Sequence, residues 1–253
     1  MIQTEEFRNQ TVLITGASAG IGAAAAQAFG SRAAHVIVHY NSRRDAAEQV
    51  VKAIHTAGAT GEIVQADLGT EAGVQNLCDW ARARKIDILV NNAGSLVRRT
   101  KVLDFTPDLM NQVMLLNFTS AFFVSQAVLA GMVERKHGII VNISSVAARF
   151  GGGIGALGYS AAKAALSAMT KNMAREFAPS GVRVNTVSPG TIDTDYHRAF
   201  STEQMLNNTK AATPAGRLGT SEEVADAILF LCSDGARFIH GQALEVNGGF
   251  LMV

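Results

Sequence analysis

The stretch "TVLITGASAGIG", residues 11–22, decides the fold. Thr11, Val12, Leu13 and Ile14 run into Gly16, Gly20 and Gly22, and the Ala-rich "AAAAQAF" follows directly. A short, near-continuously apolar run reads as a buried strand, and a segment rich in alanine reads as a helix. Glycines suit the junction because the chain must turn tightly there. They also let a pyrophosphate approach the backbone N–H groups at a helix N-terminus. The spacing is G-x-x-x-G-x-G, not the G-x-G-x-x-G of the standard dinucleotide fingerprint. A glycine turn made only for close packing is the competing reading, and its place after the first strand favours the phosphate site. Gly16, Ser18, Ala19, Gly20, Ile21 and Gly22 are its candidate contacts.

Outward from this turn, short apolar runs alternate with longer helix-period segments. Residues 11–16, 35–40, 61–67, 87–92, 138–144, 182–188 and 243–249 read as strands. Residues 20–30, 44–57, 70–84, 108–135, 158–178 and 221–233 read as helices. Pro179 and Gly181 stop the fifth helix, and Thr220 or Ser221 ahead of Glu222 and Glu223 caps the sixth. Strict β-α alternation predicts an α/β protein, a doubly wound Rossmann-type domain with a seven-stranded parallel sheet and helices on both faces. No linker or repeat interrupts it, so residues 1–253 are expected to form one domain for cofactor binding and catalysis. The polar, aperiodic stretch 191–219, with Pro214, reads as a long excursion of the kind that covers a site.

Composition narrows the function. Hydrophobic residues make up 48% and charged residues 17%, and the formal charge is +1. That balance argues against a nucleic-acid footprint or an anionic membrane surface. Cys78 and Cys232 lie far apart in apolar helical contexts, which predicts no disulfide and a reducing compartment. His35 and His137 lack metal-ligand spacing, so no metal is expected. The opening "MIQTEEFRNQ" is too polar and acidic for a signal peptide, and Ser125 and Gln126 break the apolar "AFFVSQAVLAGMV". A soluble cytoplasmic protein is expected.

The end of the second strand speaks to the dinucleotide. A site for NAD usually carries an acid there for the ribose 2′-hydroxyl, whereas a 2′-phosphate needs arginine. The acidic place holds Tyr40, followed by Asn41, Ser42, Arg43 and Arg44. Small polar groups with a guanidinium suit a dianion, so NADP(H) is favoured over NAD(H). The alternative is that Arg43 and Arg44 merely solvate a helix start.

Further on, "GYSAAK" sets Tyr159 four positions before Lys163, on one face of a helix. In isolation that is a packed tyrosine beside a snorkelling lysine. The order "TGASAGIG", "NNAG" (91–94), "VNISS" (141–145), "YSAAK" (159–163) and "SPGTIDT" (188–194) changes the reading. From about residue 8 to the C-terminus the chain resembles the short-chain dehydrogenase/reductase family. "HYNSRRDAAEQVV" and "RLGTSEEVADAILFL" make it similar to the 3-oxoacyl-(acyl-carrier-protein) reductase subgroup.

The resemblance implies a catalytic quartet of Asn117, Ser145, Tyr159 and Lys163. Tyr159 would pass the proton, Ser145 would donate to the carbonyl oxygen, and Asn117 would hold a water and the lysine in a relay. Lys163 would reach the nicotinamide ribose, and its ammonium together with the positive nicotinamide of the oxidised complex would lower the tyrosine pKa from its ordinary value of about 10. Ser144 is the alternative serine. Asp67 and Leu68 resemble the family's adenine contacts, and Asn91, Ala93 and Gly94 the turn lining the adenosine. Asn91 could equally tie the fourth strand to its neighbour. Pro189 and Gly190, followed by Ile192 and Thr194, resemble the contacts to the nicotinamide carboxamide and the phosphate. A homotetramer is also implied, through the wide apolar faces of 108–135 and 158–178. Lys136 fits a basic carrier-protein contact at the active-site mouth, while Pro179–Ser180 replaces another basic position of the subgroup.

The expected activity is NADP(H)-dependent interconversion of a carbonyl and a secondary alcohol, with 3-oxoacyl thioesters as one substrate class. A sugar, polyol or other small-alcohol dehydrogenase is the alternative, and a non-catalytic dinucleotide sensor ranks below both. Gly151–Gly153 reads as either a movable substrate loop or a tight irregular turn.

Overall fold

In the computed structural model, which describes residues 6–253, strands and helices alternate as the sequence predicts. Residues 1–5, half of the segment read above as lacking leader character, lie outside the described residues. The first half of the chain runs β1 (Thr11–Ile14), α1 (Gly20–Gly30), β2 (His35–Tyr40), α2 (Arg44–Thr56), β3 (Thr60–Gln65), α3 (Glu71–Arg82) and β4 (Ile88–Asn91). It continues through α4 (Pro107–Met114), α5 (Ser120–Glu134), β5 (Gly138–Ile143), α6 (Ala147–Phe150), α7 (Leu157–Phe177) and β6 (Val182–Pro189). It closes with α8 (Asp195–Phe200), α9 (Glu203–Ala212), α10 (Ser221–Cys232) and β7 (Ala243–Val246). All strand pairs are parallel, in the order β3-β2-β1-β4-β5-β6-β7.

The near-continuous apolar strands now have their physical reason. Val12 and Ile14 of β1 enter one core with α1, α2 and α10, while Leu13 enters the other with α3, α5 and α7. Val36 and Val38 against Ile37, and Ile88 and Val90 against Leu89, repeat the division. Side chains alternate across a strand, so a sheet covered on both faces needs every position apolar.

The long helix expected at 108–135 is less regular than its hydropathy suggests. Residues Leu115–Thr119 between α4 and α5 form a π-helical turn that contains Asn117. Such turns are inserted where a helix bends to serve a site. Pro107–Glu134 is long enough, and apolar enough over part of its length, to cross a membrane by length and composition alone. Here Val124, Val128 and Met132 pack into the second core, and Asn117 is buried within the segment. The stretch 191–219 is more ordered than its aperiodic sequence implies, since α8 and α9 form within it. Thr202 caps α9 by accepting the Met205 N–H. At Gly151 and Gly152, φ values of 87° and 74° require glycine, which makes this segment a tight turn after α6.

A chain of buried polar side chains links the strands below their C-terminal ends. Asn91 Nδ2 donates to Asn142 Oδ1 and to Ser125 Oγ, each at 2.8 Å. Asn142 Nδ2 donates to Thr170 Oγ1 on α7 at 2.9 Å, and Thr170 Oγ1 lies 2.7 Å from Thr186 Oγ1 on β6. Asn91 and Asn142 are register partners, so the sheet itself aligns the contact. Replacing Asn142 by alanine removes one buried hydrogen bond each from Asn91 and Thr170, at a cost of about 1–3 kcal/mol. Urea unfolding of Asn142→Ala should report that loss, and a change well below it would deny the chain any structural weight.

Candidate active site

All strands point their C-terminal ends the same way, and β2 and β5 lead away from the β1–β4 pair in opposite directions. The loops diverge there and leave a cleft of about 760 Å³. This is where open α/β sheets bind their ligands.

One end of the cleft is built on the glycine turn. Gly16 and Gly20 adopt φ values of 64° and 55°, which side chains resist. A Cβ on Gly22 would sit 2.5 Å from Gly16 O and from Asn92 Nδ2, so Gly22 is required for packing. Thr15 Oγ1 accepts the N–H groups of Asn92 and Ala93, and Asn92 Nδ2 donates back to Thr15 O and Gly16 O. His39 completes the clamp: its Nδ1 accepts the Gly16 N–H and its Nε2 reaches Ala66 O. Burial pushes the His39 imidazole down to about 4, so it stays neutral and can accept. Helices α3, α4, α9 and α10 are capped by threonine side chains, but Ala19 leaves the first N–H groups of α1 without one. Those donors line the cleft through Ser18, Ala19, Gly20 and Ile21. The arrangement fits a dinucleotide pyrophosphate.

The other end holds Ser145, Tyr159 and Lys163. The Tyr159 phenol faces Ser145 and Tyr196 of α8, both of which act on its proton affinity. Ser145 Oγ also accepts the Ala147 N–H, whereas Ser144 Oγ turns away to Lys163 O and Ser167. Lys163 is 3% exposed; its Nζ donates to Ile143 O at 2.7 Å and lies 5.7 Å from the Tyr159 ring centre. Burial drives the two groups in opposite directions. The Tyr159 phenol rises above its ordinary value because packing desolvates it, against the opposing influence of Ser145 and Tyr196. The Lys163 amine falls to about 8 for the same reason. In the free chain burial therefore sets the direction for both groups. Asn117 is 1% exposed and faces Ser95, accepting its N–H and donating to its carbonyl. A Cβ on Gly94 would lie 2.7 Å from Asn117 Oδ1 and 3.0 Å from Lys163 Nζ, so this glycine lets the two approach.

Between the ends, Asn41, Ser42, Arg43, Asp67 and Leu68 line the cleft, with no carboxylate at the end of β2. Tyr40 is buried in the core instead, its hydroxyl near Arg44, which pairs with Glu48. Arg43 Nη1 bonds to Asp195 Oδ2 across the cleft at 2.9 Å, joining the end of β2 to α8. Pro189, Gly190, Ile192 and Thr194 cross above the glycine turn, with the Thr194 methyl 3.4 Å from a Cβ built on Gly20.

Some sequence candidates thus face elsewhere. The Asn91 side chain points to Asn142 and Ser125, and Asn92 takes the cleft-facing place, because adjacent strand-end residues project to opposite sides. Lys136 lies just before β5, at the opposite end of the strands from this chain's cleft. His39, Thr15 and Tyr196 went unread: their residue types are ordinary, and only the fold brings them to the site. Among the described residues no cluster of side chains could hold a metal ion.

A family model described as enoyl-(acyl carrier protein) reductase matches residues 16–251. The chain is 39% identical over 249 residues to a 3-oxoacyl-(acyl-carrier-protein) reductase of Escherichia coli, covering 98% of this chain and 99% of that one. A Brucella melitensis 3-oxoacyl-(acyl-carrier-protein) reductase with bound NAD superposes with a TM-score of 0.88 at 33% identity, covering 99% of this chain and 94% of that one. A Beutenbergia cavernae structure described as an NAD(P)-dependent gluconate 5-dehydrogenase, with bound NADP, gives a TM-score of 0.90 at 33% identity over 98% of each chain. Fold and cleft define a nicotinamide-dependent oxidoreductase of the Rossmann type, acting on CH–OH groups. The chain belongs to the short-chain dehydrogenase/reductase family.

The His39 clamp makes the glycine turn sensitive to acid. The folded pKa of about 4 lies below the ordinary 6.5. Between those values the unfolded chain binds a proton that the folded chain does not. Stability therefore falls as pH drops through that window, by roughly 3 kcal/mol for a gap of this size. Urea unfolding from about pH 7 to about pH 4 should show a shallower loss in His39→Asn than in the native protein. Parallel losses would remove His39 from this role.

Proposed function

We propose that the protein is a cytoplasmic NADP(H)-dependent carbonyl reductase, a homotetramer whose single domain both binds the dinucleotide and performs the chemistry. The observation that carries the reading is the Tyr159 hydroxyl facing Ser145 inside the cleft, with Lys163 buried 5.7 Å from its ring centre. A carbonyl oxygen between those two hydroxyls accepts a hydrogen bond from each. The dinucleotide, when bound, supplies the hydride to the carbonyl carbon. Negative charge then grows on the oxygen, where Ser145 stabilises it and Tyr159 delivers its proton. A phenol raised by burial is protonated at neutral pH and suits proton donation in the direction of reduction. Lys163, at about 8, can give up a proton near neutral pH and so support reprotonation of Tyr159. Asn117 and Ser95 hold the backbone that faces this amine.

The cradle fits the cofactor. The uncapped start of α1 with Gly16 and Gly20 would hold the pyrophosphate, Asp67 and Leu68 the adenine side, and Ile192 and Thr194 the nicotinamide side. Asn41, Ser42 and Arg43 would hold a 2′-phosphate. Asp195 is also bonded by Arg198, so releasing Arg43 to the phosphate leaves Asp195 paired. The 3-oxoacyl thioester remains a substrate class through the Escherichia coli relative. A polyol or sugar-acid dehydrogenase is the second reading, favoured by the Beutenbergia cavernae structure and by Pro179–Ser180, which leaves that turn without a basic residue. An intact tyrosine–lysine pair argues against a non-catalytic sensor. Exposed apolar side chains, Phe123 on α5 and Met252 and Val253 at the C-terminus, support association with further copies.

With NADPH and a panel of ketones, Tyr159→Phe should lower kcat by about 10²–10⁴-fold. Rates equal to those of the native protein would sink the reductase reading. In titrations with each dinucleotide, Arg43→Ala should weaken NADPH binding about tenfold and leave NADH unchanged, a modest effect because the site is exposed. Unchanged selectivity would return the cofactor preference to open ground.

A further inference from the structure

We propose that Arg99 reads an anionic group on the substrate, so that the preferred carbonyl compound carries a carboxylate away from its reacting carbon. The proposal rests on the reductase reading and names the substrate class of that same site. Arg99 stands in the loop after β4 and lines the catalytic end of the cleft. Its Nε donates to Phe200 O at the end of α8, and its Nη1 donates to Ile154 O in the glycine-rich turn, both at 2.8 Å. Two carbonyls from different segments thus fix the plane of the guanidinium. Both partners are neutral, and among the described residues no carboxylate lies within ion-pair distance of Arg99. A guanidinium has five N–H donors, so three remain, including both on Nη2. A fixed fork with free donors suits a carboxylate bonded bidentately.

The surroundings leave that charge unanswered by the protein. Asp193 and Asp195 on the covering segment are already held by Arg198, and Asp195 by Arg43 as well. Asp67 sits at the adenosine end, bonded to Asn41 and the Gly69 N–H. His197, beside Tyr196, is pushed down to about 4 by burial and by Arg99 itself, so it adds no positive charge that would stand in for the arginine. Leu96, Phe150, Phe200, Met205 and Phe250 supply apolar wall. A single cation in such a mouth distinguishes an acid from its neutral ester more strongly than it distinguishes carbon skeletons. Tyr196 links the two ends of this region, its ring 5.9 Å from that of Tyr159 while Arg99 acts on its hydroxyl.

The competing role for Arg99 is a strut that ties α8 to the turn at Ile154, and the test separates the two. The native protein, Arg99→Gln and Arg99→Lys are compared on 4-oxopentanoate and 5-oxohexanoate and on their methyl esters. One arm measures kcat/KM with NADPH; the other measures ligand binding by calorimetry, which needs no turnover. The expected result is a native preference for acid over ester that falls at least tenfold in Arg99→Gln and partly returns in Arg99→Lys, through KM and not kcat. Added salt should raise the acid KM alone. Equal handling of acid and ester by the native protein overturns the proposal, as does a parallel fall for both in Arg99→Gln, which is the signature of a strut. Absence of all turnover with acid-selective, Arg99-dependent binding would overturn the reductase reading and leave the anion site standing.

Discussion

The parallel sheet divides between β1 and β4, and the rest of the molecule depends on that division. To the side of β1 the chain continues to β2 and β3; to the side of β4 it continues to β5, β6 and β7. Helices α1 and α2 beside β1 cover one face while α5 and α7 beside β4 cover the other, so the loops above β1 and β4 part. A cleft at that point follows from connectivity before any side chain is considered. The glycine turn, the Asn92–Gly94 loop, Ser145 and the Pro189–Thr194 crossing all gather there because each follows the C-terminal end of a strand near the division.

Desolvation is the second governing influence. In this cleft it raises a phenol and lowers an amine, so that in the free protein the Tyr159 phenol stays protonated and the Lys163 ammonium gives up its proton more readily than a free lysine. Neighbouring polar groups then decide what charge can form, and they come from elements far apart in sequence: Ser145 after β5, Tyr196 on α8, the Ile143 carbonyl within β5. The segment bearing Tyr196 is tied to the end of β2 by Arg43–Asp195 and to the loop after β4 by Arg99. Contacts at the two ends of the cleft therefore share one short helix.

Much of this was legible in the residues. Apolar continuity marked the strands because both faces of the sheet are covered, and glycine spacing marked the phosphate turn because few other residues permit its backbone. Tyr159, Lys163 and Ser145 were legible through spacing and resemblance together. Asn91 was open between two roles: two adjacent asparagines are equivalent as letters, and only strand alternation assigns one to the core, tying β4 to β5, and its neighbour to the turn. His39 was silent for a similar reason, since one histidine in an apolar strand says nothing about what its ring nitrogens meet. Helices α8 and α9 escaped because they are short and largely exposed, so burial imposes no periodicity on their sequence.

The sequence by itself determined the alternating architecture and the glycine turn, and it set Tyr159 and Lys163 on one helix face. These are local properties, written in backbone permissiveness, hydrophobic period and i, i+4 geometry. Tertiary structure alone decided which partner each polar group meets and how dry that meeting is. The partnerships of Tyr159 with Tyr196, Arg43 with Asp195 and Arg99 with two distant carbonyls arise from loops brought together by the crossovers. Charge and proton affinity depend on surroundings summed over the whole fold, and no short stretch of sequence contains that sum.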